Sequence, residues 1–213
     1  MKIVSKKFLL GACAAAAFLL SSAAQAITVS GSANLFKGGD FTGTGLPVSY
    51  WSAGTDAVLL GSFTAGTPLT INATGTIDFA STAPYGDSTP DGKTPVGGYT
   101  NAPVLTTLNG GAGFPSGALI GVWSSTNNPL SITPIGGVFL IGSTASIIAQ
   151  TGYLFAGIAD EGWSDNTGAF NVTVTPVPLP ATLWLMGSGL LGLLGYRRFQ
   201  QRGEADEADT AAA

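Results

Sequence analysis

The stretch from Thr151 to Val174, TGYLFAGIADEGWSDNTGAFNVTV, gathers the side chains of this chain that could do chemistry. An apolar run leads into Asp160-Glu161-Gly162-Trp163-Ser164-Asp165-Asn166-Thr167-Gly168, and a second, alternating run leaves it. Carboxylates and an amide in one strand-to-strand loop can converge on a hard cation, because calcium takes about six to eight oxygen ligands at about 2.3 to 2.6 Å. The spacing is not that of an EF-hand. Asp, Asn, Ser and Gly are also what an ordinary tight turn prefers, since their side chains satisfy nearby backbone groups and tolerate positive φ. The residues alone leave both readings open. A third, in which Asp160 pairs with Glu161 or Asp165 to hydrolyse a glycoside, fits poorly. Sequence neighbours rarely flank a glycosidic bond from opposite sides at about 5 to 9.5 Å, so the chain is read as a non-enzyme.

Composition narrows the chemistry further. The 213 residues include no histidine and one cysteine, Cys13, close to the N-terminus. This removes hydrolases that rely on a histidine base, histidine-ligated zinc or haem, and, once a leader is cut away, thiolate sites and disulfides. Oxygen ligands remain. From Ile27 to Thr175 two lysines, Lys37 and Lys93, stand against eight acidic residues, with no arginine. That surface repels phosphate backbones, so nucleic acid is excluded as a partner.

The elements that must position the loop read as all-β. Leu69, Ile71 and Ala73 alternate with Thr70, Asn72 and Thr74, and Phe170, Val172 and Val174 alternate with Asn171, Thr173 and Thr175. Each pattern is that of a strand with one buried face. Ala118 to Trp123, Val138 to Ile141 and Tyr153 to Ala159 are more continuously apolar, as central strands of a sandwich are. Gly, Thr, Ser and Asn punctuate the whole segment, which predicts an antiparallel β-sandwich of two packed sheets. Thr82 to Ala102, rich in proline and glycine, predicts a long excursion between strands. Trp51 and Trp123 are expected in the core.

Both ends carry targeting signals. Lys2, Lys6 and Lys7, the apolar Phe8 to Leu20, and Ala24-Gln25-Ala26 form a helical secretory signal over residues 1–26, with cleavage after Ala26. A rival lipobox at Leu10-Gly11-Ala12-Cys13 has too short an apolar run before it. At the other end Val177-Pro178-Leu179-Pro180-Ala181 leads into an apolar segment that stops at Arg197-Arg198. Leu179 to Tyr196 number 18 residues, the lower end of what crosses a hydrocarbon core of about 30 Å as a helix. The positive-inside bias puts the acidic tail, residues 203–213, in the cytoplasm and residues 27–175 outside. Residues 176–202 resemble the PEP-CTERM class of bacterial surface-sorting signals, in the variant that reads VPLPA, with Leu179 where the main class has glutamate. A plain single-pass anchor is the alternative. The resemblance implies an exported protein of a Gram-negative bacterium, held transiently in the inner membrane, cut by an exosortase-type protease, and destined for the cell surface or exopolysaccharide matrix.

The middle domain carries a second resemblance. The pattern G-x-L-x-x-G-x-x-D, short acidic loop, D-N-x-G-x-F-x-V is similar to the C-terminal half of the calcium-dependent galactophilic lectins, which are small jelly-roll β-sandwiches. Gly117 to Gly121 and Ala73 to Ile77 resemble earlier strands of that family. The resemblance implies a bound Ca2+, with Asp160, Asp165 and Asn166 as side-chain ligands and Phe79 offering its carbonyl. It implies a glycan whose hydroxyls complete the ion's shell, with Trp163 either offering its ring to the sugar or packing as a core tryptophan. The family's sugar-contacting histidine is absent, so galactose specificity does not transfer. The expectation is an exported, calcium-assisted carbohydrate-binding protein, with a structural matrix protein lacking any ligand site as the alternative.

Overall fold

Alternation of apolar and polar residues leaves a strand with one apolar face, and such faces have to meet. The computed structural model shows how they do, describing residues 25–38, 53–79, 86–93, 113–160, 162–177 and 186–194. The chain divides into two units, Met1–Thr175 and Pro176–Ala213.

In the first unit two antiparallel sheets hold the core. One joins β1 (Ala26–Ser30), β11 (Thr167–Pro176), β5 (Pro68–Asp78) and β6 (Asp87–Ser88) in that order, and β9 (Thr144–Ile148) also pairs with β5. The other runs β4 (Val58–Phe63), β10 (Gly152–Ile158), β7 (Leu119–Ser124), β8 (Phe139–Leu140). A short parallel pair, β2 (Ala33–Asn34) with β3 (Thr55–Asp56), completes the strands. The all-β expectation holds. β5 shows the predicted alternation, Leu69, Ile71, Ala73 and Ile77 being buried while Asn72 and Thr74 face water. In β11, Phe170 and Val172 are buried and Asn171 is exposed.

β7 is buried at all six positions, and β10 at its last five. Continuous apolar runs of this kind require a cover on both faces of the sheet. Segment 33–36 supplies part of it: a Cβ on Gly157 would come within 2.9 Å of the Ala33 carbonyl oxygen and of Leu35 Cγ, so only glycine lets that segment lie flat on β10. Trp123 is buried as expected and meets Phe63 edge to face at 5.9 Å. Trp51 lies outside the described residues.

The proline-rich excursion is partly described, and there it is tied down. Lys93 bridges to Ser116, and Asp91 Oδ1 accepts the Ser143 N–H at 2.7 Å while Oδ2 accepts the Ser143 hydroxyl. Most of the leader and residues 178–185 and 195–213 lie outside the described residues, so cleavage after Ala26 and the roles of Pro178, Leu179, Pro180, Ala181, Arg197 and Arg198 are not addressed by the fold. Ladder pairing begins at Ala26 itself, opposite Thr173.

In the second unit residues 186–194 are helical, with Met186, Leu190, Leu191, Leu193 and Leu194 more than half exposed. At about 1.5 Å per residue this stretch is about 13 Å long. Among the described residues no helix is long and apolar enough to cross a membrane. The span expected over 179–196 is thus described only in its interior.

The Asp91 latch gives a pH test. Its carboxyl is held below the ordinary value of 3.8 by the Ser143 hydroxyl first and the Ser143 N–H second. A depressed carboxylate stabilises the fold above its ordinary titration range, and that contribution is lost as pH falls through the folded-state value. Asp91→Asn keeps the shape and removes the charge. It is expected to lower Tm by about 2 °C at pH 7, a small effect because the group is solvent-screened. In a thermal-melt series the gap should close as pH drops below about 4. A gap that persists or widens at pH 2 to 3 would show that the charge is not what Ser143 holds.

Candidate metal centre

Two ladder bonds fix the end of β10, where the acidic loop starts: Ala159 N–H donates to the Ala118 carbonyl at 2.8 Å, and Gly117 N–H donates to the Ala159 carbonyl at 2.8 Å. Asp160 follows, half-buried, with its Oδ2 shielded from solvent. Glu161 lies outside the described residues. Gly162 to Asp165 then closes as a turn, the Asp165 N–H donating to the Gly162 carbonyl at 3.2 Å. Asp165 is exposed, and its Oδ1 lies 3.2 Å from where a Cβ on Gly162 would stand, so the carboxylate folds back over the turn.

Asn166 behaves differently from its neighbours. It is 8% exposed, and its Nδ2 donates to the Gly31 carbonyl at 2.8 Å. Its Oδ1 is buried and has no hydrogen-bond partner among the described residues. A buried carbonyl left unpaired costs about 1 to 3 kcal/mol, so natural proteins rarely keep one without a use.

Phe79 reaches the same end of the sandwich through Gly117. With φ of +73°, Gly117 takes a conformation that favours glycine, and a Cβ there would stand 2.8 Å from both Phe79 Cδ1 and Ser88 Oγ. The residue that touches Phe79 is thus the one bonded to the Ala159 carbonyl, next to Asp160. Asp160, Asp165 and Asn166 thus lie in one loop, and the Phe79 ring packs against Gly117 near its start. Among the described residues no three His, Cys, Asp or Glu side chains gather as a metal set. A cation here would depend on amide and main-chain oxygens as much as on carboxylates.

Of the two readings of Trp163, sugar platform or core residue, the structure shows the second. Trp163 is 2% exposed, its Nε1–H donates to the Ile158 carbonyl at 2.9 Å, and its ring lies against Phe36 with centroids 6.0 Å apart. Gly54, at φ +83°, approaches so closely that a Cβ there would stand 2.6 Å from Trp163 Cβ. The ring is therefore a wedge that pins the loop to the core and offers no face to a sugar. An aromatic side chain in a polar loop reads equally as a platform or as an anchor. What decides is whether an apolar neighbour waits for it, and Phe36 does.

The partner that sequence reasoning missed is segment 31–38. Gly31 holds Asn166, Phe36 holds Trp163, and Lys37 ties the segment to residues 53–56 through the Gly54 carbonyl at 2.9 Å and Asp56 at 3.1 Å. Ser30-Gly31-Ser32 reads only as turn punctuation, because its contribution is a main-chain carbonyl that no side chain announces.

Comparison with known proteins adds two findings. Residues 176–198 match the PEP-CTERM protein-sorting motif, which marks an exported protein sorted toward the cell surface through membrane-anchored processing. The matched residues include Val177, Pro178, Leu179, Pro180, Ala181, Arg197 and Arg198. Among solved structures the chain is similar to one titled "EclA N-terminal domain; PllA-like lectin", at 18% identity over 71% of this chain and 95% of that one, with a TM-score of 0.38. No curated protein matches the chain.

Trp163 as a wedge predicts a stability effect independent of any ligand. Trp163→Ala is expected to cost about 3 to 5 kcal/mol. Trp163→Phe, which keeps the ring but leaves the Ile158 carbonyl unpaired, should cost about 1 to 3 kcal/mol. Denaturant titration in the presence of a chelator measures both, and an unchanged midpoint for Trp163→Ala would show that the ring is not anchored.

Proposed function

We propose that the β-sandwich is a non-catalytic, calcium-assisted carbohydrate-binding domain presented by an exported, surface-sorted protein. The observation that carries this is Asn166 Oδ1, an oxygen buried to nine-tenths and left unpaired among the described residues, in the same short loop as Asp160 and Asp165. An amide oxygen held in this way is a ligand for a hard cation. Two carboxylates supply the charge that offsets the ion's dehydration, and main-chain carbonyls, Phe79 among them, extend the set toward the six or more oxygens calcium takes. Calcium suits the set better than magnesium, which demands near-ideal octahedral geometry and keeps most of its water.

The bound ion would supply positions for neutral oxygen ligands. Vicinal hydroxyls of a sugar are such ligands, and a neutral glycan avoids repulsion by a domain with eight acidic residues against two lysines. With Trp163 withdrawn from the surface, the ion itself is the principal recognition element. Polysaccharide is accordingly the partner, and exosortase-type cleavage of the tail the route to it. Binding without turnover is the activity assigned, because Asp160, Glu161 and Asp165 are sequence neighbours, which rarely flank a glycosidic bond from opposite sides.

Calorimetry on the purified full chain tests this. Calcium is expected to bind with Kd of about 10⁻⁴ to 10⁻³ M, the range of extracellular modules. If Kd is about 0.1 mM, 10 mM calcium should add about 2.7 kcal/mol of stability, and Asp160→Ala and Asp165→Ala should each abolish the heat. Retention on a glycan panel should vanish with chelator. No heat and no shift of Tm in millimolar calcium would leave a structural matrix protein in its place.

A further inference from the structure

We infer that residue 166 has to be an amide, not a carboxylate, and that Gly31 is a positioning residue for the cation, an inference that rests on the cation-site reading of the 160–166 loop. The atom of Asn166 that lies 2.8 Å from the Gly31 carbonyl oxygen must be a donor, because two acceptor oxygens at that distance repel. This fixes the amide as Nδ2 toward Gly31 and Oδ1 away from it. A freely turning amide would present nitrogen to a cation half the time. This one presents only oxygen.

The carbonyl that sets this orientation is itself set. Gly31 N–H donates to the Gly168 carbonyl at 2.9 Å, directly after the β1–β11 ladder ends with Ser30 opposite Ala169. A Cβ on residue 31 would stand 2.5 Å from the Thr167 carbonyl oxygen and 3.3 Å from Ile77 Cβ, so any side chain would push the segment, and its carbonyl, off Asn166. Gly31 touches no part of the ion and acts through Asn166, in the way groups outside a metal's own ligands orient those ligands.

An inversion of the simple charge rule follows. Replacing a neutral ligand by a negative one ordinarily tightens a hard cation. Here a carboxylate at 166 would place an oxygen against the Gly31 carbonyl with no proton between them. The side chain would swing away, and the ion would lose a ligand despite the added charge.

Terbium(III), which takes calcium sites and luminesces when a nearby indole is excited, titrates the full chain and its variants. The unsubstituted protein is expected to bind terbium and release it to calcium. Asn166→Asp should bind about ten- to a hundredfold more weakly at pH 7, the scale of losing a group that orients a ligand. Gly31→Ala should weaken binding in the same direction. A purely structural role for Asn166 predicts instead that Asn166→Asp, wherever it remains folded by circular dichroism, binds as tightly or more tightly, and that result overturns the inference. If terbium and calcium both fail to bind the unsubstituted protein, the cation-site reading itself falls, and the inference with it. Nuclear magnetic resonance of the unsubstituted protein needs no variant: the two Asn166 side-chain amide protons should give separate signals, one slow to exchange, with and without calcium. A pair exchanging at the solvent rate would overturn the inference even where binding is intact.

Discussion

A side-chain amide has two ends of opposite polarity, and a fold that buries one has to provide for both. Asn166 is held at its nitrogen by the Gly31 carbonyl and keeps its oxygen shielded and unpaired. Several elements meet at that bond. The β1–β11 ladder brings residue 31 to the start of β11, and Trp163 drives the intervening loop onto Phe36. Lys37, bonded to Gly54 and paired with Asp56, keeps segment 31–38 from peeling off. Trp163 pins the loop to the core, and the bond to Gly31 sets which way the Asn166 amide faces.

The core explains why such a loop can be held still. β7 and β10 are buried through nearly their whole length, so the end of β10 is fixed by the Ala118 and Gly117 ladder bonds on one side and by the cover from segment 33–36. A loop that leaves a fully buried strand starts from a defined direction. Without histidine or methionine, and with the single cysteine at position 13, residues 27–175 can do coordination chemistry only with oxygen. The sorting motif at 176–198 marks the protein as exported and sorted toward the cell surface.

Strand type and loop position were legible in the sequence for a physical reason. Alternation in Leu69 to Thr74 and Phe170 to Thr175 is the direct consequence of burying one face, and the apolar runs at 118–123 and 153–159 of burying two. The C-terminal motif was legible because proline, apolar span and paired arginines come in a fixed order. Three features were not. The strand at Ala26–Ser30 is hidden against the expected leader, its short alternation running straight on from the cleavage signal. The Asp91–Ser143 latch joins residues 52 positions apart and has no local pattern. The anchor of Asn166 is a backbone carbonyl 135 positions away, which no residue type encodes. The sequence left Trp163 open between sugar platform and core, because its ring suits both and its neighbour Phe36 is distant in sequence.

The account comes down to where Asn166 Oδ1 points. Diffraction from crystals of the protein grown in millimolar calcium, with anomalous data to identify the ion, measures this directly. The account predicts an ion at about 2.3 to 2.6 Å from Asn166 Oδ1 and from carboxylate oxygens of Asp160 and Asp165, with Asn166 Nδ2 still on Gly31. An ion absent from the loop, or an Asn166 Oδ1 engaged by another side chain while calcium sits elsewhere, would contradict it.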